Sequence, residues 1–232
     1  MENLLYEYMS KRFSAEHEHH ESPKGFGPVI TISRQAGCGA SKLAHELCQL
    51  MDASSHPYSK PGTWHFINHE VLEKSAEKLN LDPHKLDKVI TDKERGIMDQ
   101  IVEALSSHRH KSDQKIMKTV QEVIRQLAEQ GNIVIVGRGG AVVGQHISRS
   151  LHIRLEAPFE WRLSEVMKKL EYSREYAREY IRRIDEQREM YIQKMLQGSR
   201  NFSIYDVTLN PSRFSENQLI GIIAHMAMVK GI

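Results

Sequence analysis

Residues 30–44, ITISRQAGCGASKLA, join an apolar β-branched run to a glycine-bearing turn and the start of a helical pattern. This is the layout of a loop that cradles phosphate. Gly37 and Gly39 let the backbone turn so that successive N–H groups face one anion, and a helix opening near Ser41 points its positive dipole end at the same spot. Fitting GxxxxGK[ST] with Gly39 as the second glycine puts Arg34 at the first glycine, Ala40 where the lysine is expected and Ser41 at the hydroxyl of a magnesium shell. Phosphoryl transfer depends on positioning and on positive charge at the transferring oxygens, so the lysine needs a replacement. Arg34 is the candidate, because it ends the strand, stays charged and carries a planar fork that binds phosphate bidentately. Lys42 is the rival, one residue and about 100° around the helix from Ser41. Gly37, Cys38, Gly39, Ala40, Ser41 and Lys42 together form the turn expected to hold the phosphates of ATP. The same residues also read as an ordinary strand-to-helix turn whose glycines serve packing alone. Cys38 is either a thiol whose pKa the helix end lowers or a position that accepts only a small side chain.

Further arginines follow apolar segments. In Gly137-Arg138-Gly139-Gly140 a cation sits on a flexible loop after a strand-like run, where parallel sheets bind ligands at their carboxyl edge. A surface arginine in a turn is the alternative. Between residues 174 and 188, helical spacing puts Arg178, Arg182, Asp185 and Arg188 within an arc of roughly 120°. Such a face can clamp phosphates around an orienting carboxylate. The interleaved Glu175, Glu179, Glu186 and Glu189 also fit a merely solvated helix laced with i,i+4 pairs. Asn68 ends an apolar run and reads adequately as a helix N-cap. The 13 histidines include no HExxH, His108 and His110 fall in a polar turn, and GxSxG is absent, so zinc hydrolysis and serine hydrolysis have no motif.

The elements that must position these residues alternate between strand and helix from Pro28 onward, which predicts a parallel sheet covered on both faces. Strands are expected at 28–33, 64–68, 132–137, 151–157 and 204–210. Asp82-Pro83 signals a helix start, and Ser215 followed by Gln218 predicts a capping box ahead of the last helix. The stretch 69–130 exceeds what a crossover needs and reads as an inserted helical subdomain, and 159–196 is a second helical excess. Residues 1–27 combine a short amphipathic helix with a polar, histidine-rich linker; His17, His19 and His20 fit a solvated tail better than a metal site. The chain has 232 residues, 40% hydrophobic and 27% charged, with a formal charge of +2 and two cysteines. That bounds it to one domain with appendages, gives no dedicated nucleic-acid binder, no membrane segment, no disulfide framework and no four-ligand zinc site, and makes the cytoplasm the default. Homodimerisation is left open.

Taken in order, ITISRQAGCGASKLA, INHEVLEKSAEKLNL, IVIVGRGGAVV, HIRLEAPFEWRL, YIRRIDEQREMYIQKM and IYDVTLN resemble the cytidylate kinase-like family of P-loop nucleoside monophosphate kinases. The resemblance covers most of the chain from Val29 to the last helix, and Ser33-Arg34 with Ala40 matches a family that lacks the usual lysine. It implies a three-layer α/β kinase fold with a five-stranded parallel sheet, an acceptor-binding insertion over 69–130, and a mobile, arginine-bearing lid over 170–200. It further implies ATP and Mg²⁺ as cofactors and a small nucleotide such as CMP or dCMP as acceptor. Residue by residue, it gives Arg138 the acceptor phosphate and Arg182, Asp185 and Arg188 the lid's catalytic face. Asn68 falls near the acceptor and Arg162 near the ATP base, an exposed helix arginine being the equal alternative for the latter. Gly139 stands where true cytidylate kinases place an aspartate. Two further readings stay open: a nucleotide-binding regulatory module with little turnover, and a kinase of another small anion.

Overall fold

In the computed structural model, residues 28–53, 64–68, 121–196 and 204–232 are described. Of the insertion expected over 69–130, residues 69–120, with Asp82-Pro83, His108 and His110, lie outside them, as do residues 1–27.

All five expected strands form, as β1 Val29–Arg34, β2 His65–Ile67, β3 Ile133–Val136, β4 Ser150–Leu155 and β5 Val207–Leu209. They make one parallel sheet in the order β2-β3-β1-β4-β5. β1 is central, pairing Val29 with Ile133 of β3 and with Ser150 of β4. The continuous burial of all four residues of β3 is what a strand covered on both faces requires. After β1 the chain runs out to β2, returns through β3, and then crosses to β4 on the other side of β1. The carboxyl edge beside β1 is therefore where successive connections diverge, the place where open α/β sheets bind ligands.

On one face of the sheet lie α1 (Ala40–Ala53) and the carboxyl-terminal helix Glu216–Val229. Leu43, Ala44, Leu47 and Met51 of α1, with Leu219, Ile220 and Ile223, bury Ile30, Ile32, Val134, Val136 and Ile153. On the other face the short helix α2 (Gly140–Val143) packs so closely that a Cβ on Gly140 would stand 2.8 Å from Ile135 Cγ2. Residues 121–130 are helical and bury Val123, Ile124, Leu127 and Ala128. The layers are therefore helix, sheet and helix, as expected.

Two further helices extend from β4. Helix α3 (Phe159–Leu170) ends at Glu171 in the left-handed region, φ 55°, and α4 (Arg174–Met195) begins where Ser173 accepts a bond from Tyr176 N. The pair closes over its own apolar cluster of Leu163, Val166, Ala177 and Ile181, which also takes in Ala36 from the glycine loop. The carboxyl-terminal helix, α5, opens on the predicted capping box: Gln218 N donates to Ser215 Oγ at 3.3 Å, and Ser215 N donates to Gln218 Oε1 at 2.8 Å. Among the described residues no helix is long and apolar enough to cross a membrane.

The sheet contains one buried polar pair with a measurable consequence. Thr31 Oγ1 and His152 Nδ1, paired in register on β1 and β4, share a hydrogen bond of 2.8 Å. Burial holds the His152 pKa below its ordinary 6.5, against the pull of Asp206. The folded protein thus keeps the ring neutral while the unfolded chain takes up a proton, so this contribution to stability is complete above about pH 6.5 and is lost as pH falls below it. Denaturant unfolding across pH 5 to 8 is expected to show that decline in the wild type and a shallower one in His152→Asn.

Candidate functional site

The loop after β1 carries the glycines. Gln35 N donates to Leu155 O at 3.0 Å and Ala157 N donates to Gln35 Oε1 at 3.1 Å, which ties the start of the loop to the end of β4. Gly37 has φ 88°, and a Cβ there would stand 2.8 Å from Arg162 O, so both conformation and packing require glycine. Gly39 has φ 70° with open space where its Cβ would be, and it is exposed. Helix α1 starts immediately after it and directs its free amides and positive dipole end toward that space.

Ala40, at the position of the expected lysine, is 4% exposed and belongs to the apolar core under the sheet. A charged side chain there would have to enter that core, so the charge has to be brought from elsewhere. Ser41, one residue on, is partly exposed. Lys42 is not brought to the loop: it is exposed and pairs with Glu216 of α5 and, at 3.5 Å, with Glu46. Cys38 is buried, and burial pushes its thiol up to about 11 despite the nearby Arg162. The low-pKa expectation therefore fails, and the residue fills a small space as a neutral thiol.

Three arginines meet above this loop. Arg34 closes β1, and its guanidinium lies directly on the backbone of Gly137, where an added Cβ would overlap it. Burial, then the charges of Arg188 and Arg138, hold the Arg34 pKa well below the ordinary arginine range, with Tyr180 and Asp185 pulling the other way. Arg188 of α4 is similarly lowered, chiefly by burial, and its Nη1 donates to Arg34 O at 3.3 Å. An arginine keeps its proton under such pressure, so the cost remains as positive charge that Asp185 and Tyr180 offset only in part. Among the described residues no carboxylate lies within ion-pair distance of Arg34 or Arg188.

Arg138 joins the group from the loop after β3. It is 8% exposed and has φ 54°, between Gly137 at φ 75° and Gly139 at φ 68°. Three successive left-handed residues form a tight reversal, closed by Gly140 N donating to Gly137 O at 2.8 Å. The glycines adopt it freely, whereas Arg138 bears a cost on the order of 1–3 kcal/mol that the surrounding fold must hold. Gly139 is overlaid by the side chain of Met195, the last residue of α4.

The arc predicted on α4 divides. Asp185 and Arg188 turn toward the glycine loop. Asp185 Oδ1 accepts from Ala36 N at 2.7 Å and its Oδ2 accepts from Arg162 Nη1 at 2.6 Å. Arg178 stacks on Phe159 at 5.6 Å and pairs with Glu160 at 3.7 Å, while Arg182 is exposed. Both line a cleft of about 310 Å³ between α3 and α4 with Phe159, Ile181 and Glu186, and Arg162 and Asp185 line it too, whereas Arg34 and Arg188 do not. Arg162 is not an exposed helix arginine: it is 5% exposed, donating through Nε to Ala157 O at 3.0 Å and through Nη1 to Ala36 O at 3.1 Å. Asn68 is buried directly after β2, and the residues it was expected to cap lie outside those described.

Sequence reading missed Gly137 as the platform for Arg34. It also missed Tyr180, whose ring joins the α3–α4 cluster and whose hydroxyl side acts electrostatically on Arg34 and Arg188. The spacing of Ala177, Tyr180, Ile181 and Ile184 gave a clear apolar stripe, and that stripe masks a second role for one of its members.

A five-stranded parallel sheet between two helical layers, with a glycine loop after its central strand and arginines gathered at its carboxyl edge, defines a three-layer α/β protein of the P-loop-like class. The model of the cytidylate kinase-like family matches residues 29–213, and the chain belongs to that family. Among solved structures it is similar to an uncharacterized protein from Eubacterium ventriosum ATCC 27560, with 16% identity and a TM-score of 0.59, over 86% of this chain and 98% of that one. It is also similar to TT1252 from Thermus thermophilus, with 16% identity and a TM-score of 0.45, over 87% and 97%. No curated protein matches this chain.

Proposed function

We propose that this protein is an ATP- and Mg²⁺-dependent phosphotransferase that acts on a small anionic acceptor, with CMP or dCMP as the leading candidates. Family membership supports the kinase class. The observation that carries the reading is the meeting of Arg34 and Arg188 above the glycine loop, where burial and mutual repulsion leave a demand for an anion.

The open side of Gly39 and the start of α1 fit a polyphosphate, because that side offers backbone donors and free space. Bound ATP would supply the phosphoryl group, and Mg²⁺ would neutralise charge on its oxygens. Loop amides and Arg34 would hold the phosphate chain. Ser41 would give one oxygen to the magnesium shell, the rest coming from phosphate and water, as this ion ordinarily prefers. Arg138 would take the acceptor phosphate and Arg188 the migrating group, with Arg182 contributing only if it swings in from its exposed position. An acceptor phosphate is already anionic and needs no general base, so positioning and exclusion of water would carry the catalysis.

A second reading, a regulatory module that binds nucleotide with little turnover, is favoured by the burial of Ala40 at the lysine position. Mg·ATP titration followed by ADP release against a panel of monophosphates separates the two. We expect association below millimolar concentration and turnover with CMP or dCMP. ATP binding with no turnover on any acceptor would favour the regulatory module, turnover with an unrelated anion alone would change the acceptor, and no association at millimolar Mg·ATP would end the phosphotransferase reading.

A further inference from the structure

We infer that Asp185, which lines the cleft between α3 and α4, is a positioning residue that fixes helix α4 to the glycine loop and thereby sets Arg188 against the Arg34 backbone. The kinetic consequence rests on the phosphotransferase reading; the geometry does not.

Both carboxylate oxygens of Asp185 are engaged within the protein. Oδ1 accepts from Ala36 N at 2.7 Å, and Oδ2 accepts from Arg162 Nη1 at 2.6 Å. The same Nη1 donates to Ala36 O at 3.1 Å, so the N–H and the C=O of Ala36 are both held by this pair. Arg162 is anchored in turn, its Nε donating to Ala157 O at 3.0 Å from the end of β4. Ala36 lies between Arg34 and Gly37, and any rotation of its peptides would turn both. Its methyl is sealed against Leu163, Val166, Ala177 and Ile181 of α3 and α4.

The second attachment lies three residues further along α4, close to one helical turn, where Arg188 Nη1 donates to Arg34 O at 3.3 Å. Helix and loop are thus joined at two points, 185 to 36 and 188 to 34, which fixes rotation as well as distance. A two-point joint of this kind has to oppose a force. Arg34 and Arg188 repel each other, and Asp185 is the carboxylate whose field acts on both in the opposite sense. Turned toward the loop backbone, Asp185 offsets that repulsion while leaving the guanidiniums open to an anion. A carboxylate placed among the phosphates would instead repel them.

The test compares Asp185→Asn and Asp185→Ala in the full chain, reading hydrogen exchange at the Ala36 amide together with steady-state kinetics. Asn keeps an oxygen for Ala36 N and loses the charge, whereas Ala loses both. We expect Ala36 exchange to stay slow in the Asn variant and to accelerate in the Ala variant. Turnover with the best acceptor should fall about a hundredfold in the Ala variant, as for misplacement of a catalytic group, with the Asn variant between it and wild type and the acceptor KM near its wild-type value. Unchanged Ala36 exchange in the Ala variant, or equal kcat losses in both variants, would overturn the inference. Should the Ala variant fail to fold, the Asn variant decides: slow Ala36 exchange with reduced kcat supports it, and wild-type kcat overturns it. If wild-type protein turns over no acceptor, the functional reading fails, while the exchange comparison still decides the joint.

Discussion

Replacing Arg34 by methionine is expected to abolish nearly all phosphotransfer while leaving the protein as stable as wild type or more stable. The two effects share one cause. The Arg34 guanidinium is held where burial and the charges of Arg188 and Arg138 all disfavour it. A methionine has similar length and fills the same slot over Gly137 without a charge to desolvate, and exchanging buried charge for packed apolar atoms is often neutral or stabilising, here on the order of 1 kcal/mol. On the proposed phosphotransferase reading turnover needs that charge, since the loop has no lysine and Ala40 is buried in the core. Arginines that serve transferring phosphate contribute about a thousandfold or more, so kcat should fall by at least that factor. A second readout distinguishes lost charge from lost fold. Tripolyphosphate should raise the unfolding midpoint of the wild type through preferential binding to the folded state, and should shift Arg34→Met much less. Methionine at 34 with near-normal turnover would remove Arg34 from the mechanism, and an equal tripolyphosphate shift in both proteins would place the anion elsewhere.

The sequence was most legible where one periodicity governs a whole segment. The five apolar runs became the five strands because β-branched residues flanked by turn formers have few other stable arrangements in a chain of this size. The capping box at Ser215 and Gln218 was legible for the same local reason. Resolution was lost where a role depends on direction. Helical spacing grouped Arg178, Arg182, Asp185 and Arg188 on one arc, yet an arc spanning a third of a helix reaches two different neighbours. Its Asp185–Arg188 side meets the glycine loop, and its Arg178–Arg182 side meets Phe159. Spacing along one element cannot say which side faces which neighbour, because that is decided by how α3 and α4 close over Ala36. Arg162 was misjudged similarly. Its charge marked it as exposed or ligand-facing, while Asp185, the distant Ala36 carbonyl and the neighbouring Ala157 carbonyl satisfy it in the interior. Cys38 shows the same competition in electrostatics, burial acting in one direction and, more weakly, Arg162 and a backbone hydrogen bond with Gln35 in the other.

Gly137 was read only as a source of flexibility, and its position beneath Arg34 leads to the second large effect. Gly137→Ala is expected to cost nearly as much turnover as loss of the arginine itself. An added Cβ overlaps the Arg34 guanidinium and forces it to shift from the place where the charges of Arg188 and Arg138 act on it. The substitution also places a non-glycine residue at φ 75°, within a run whose next residue, Arg138, is already left-handed at φ 54°. That adds about 1–2 kcal/mol of strain and should lower the unfolding midpoint. Stability and activity therefore separate along different axes in the two variants: Arg34→Met loses activity at no stability cost, whereas Gly137→Ala loses both. A double-mutant cycle isolates the shared part. If Gly137 acts through Arg34, adding Gly137→Ala to Arg34→Met should leave kcat almost unchanged while still lowering stability, because no guanidinium remains to be displaced but the backbone strain persists. Full additivity of the two kcat losses would mean that Gly137 serves the reaction through Arg138 or the loop's own amides instead, and that Arg34 does not depend on this platform.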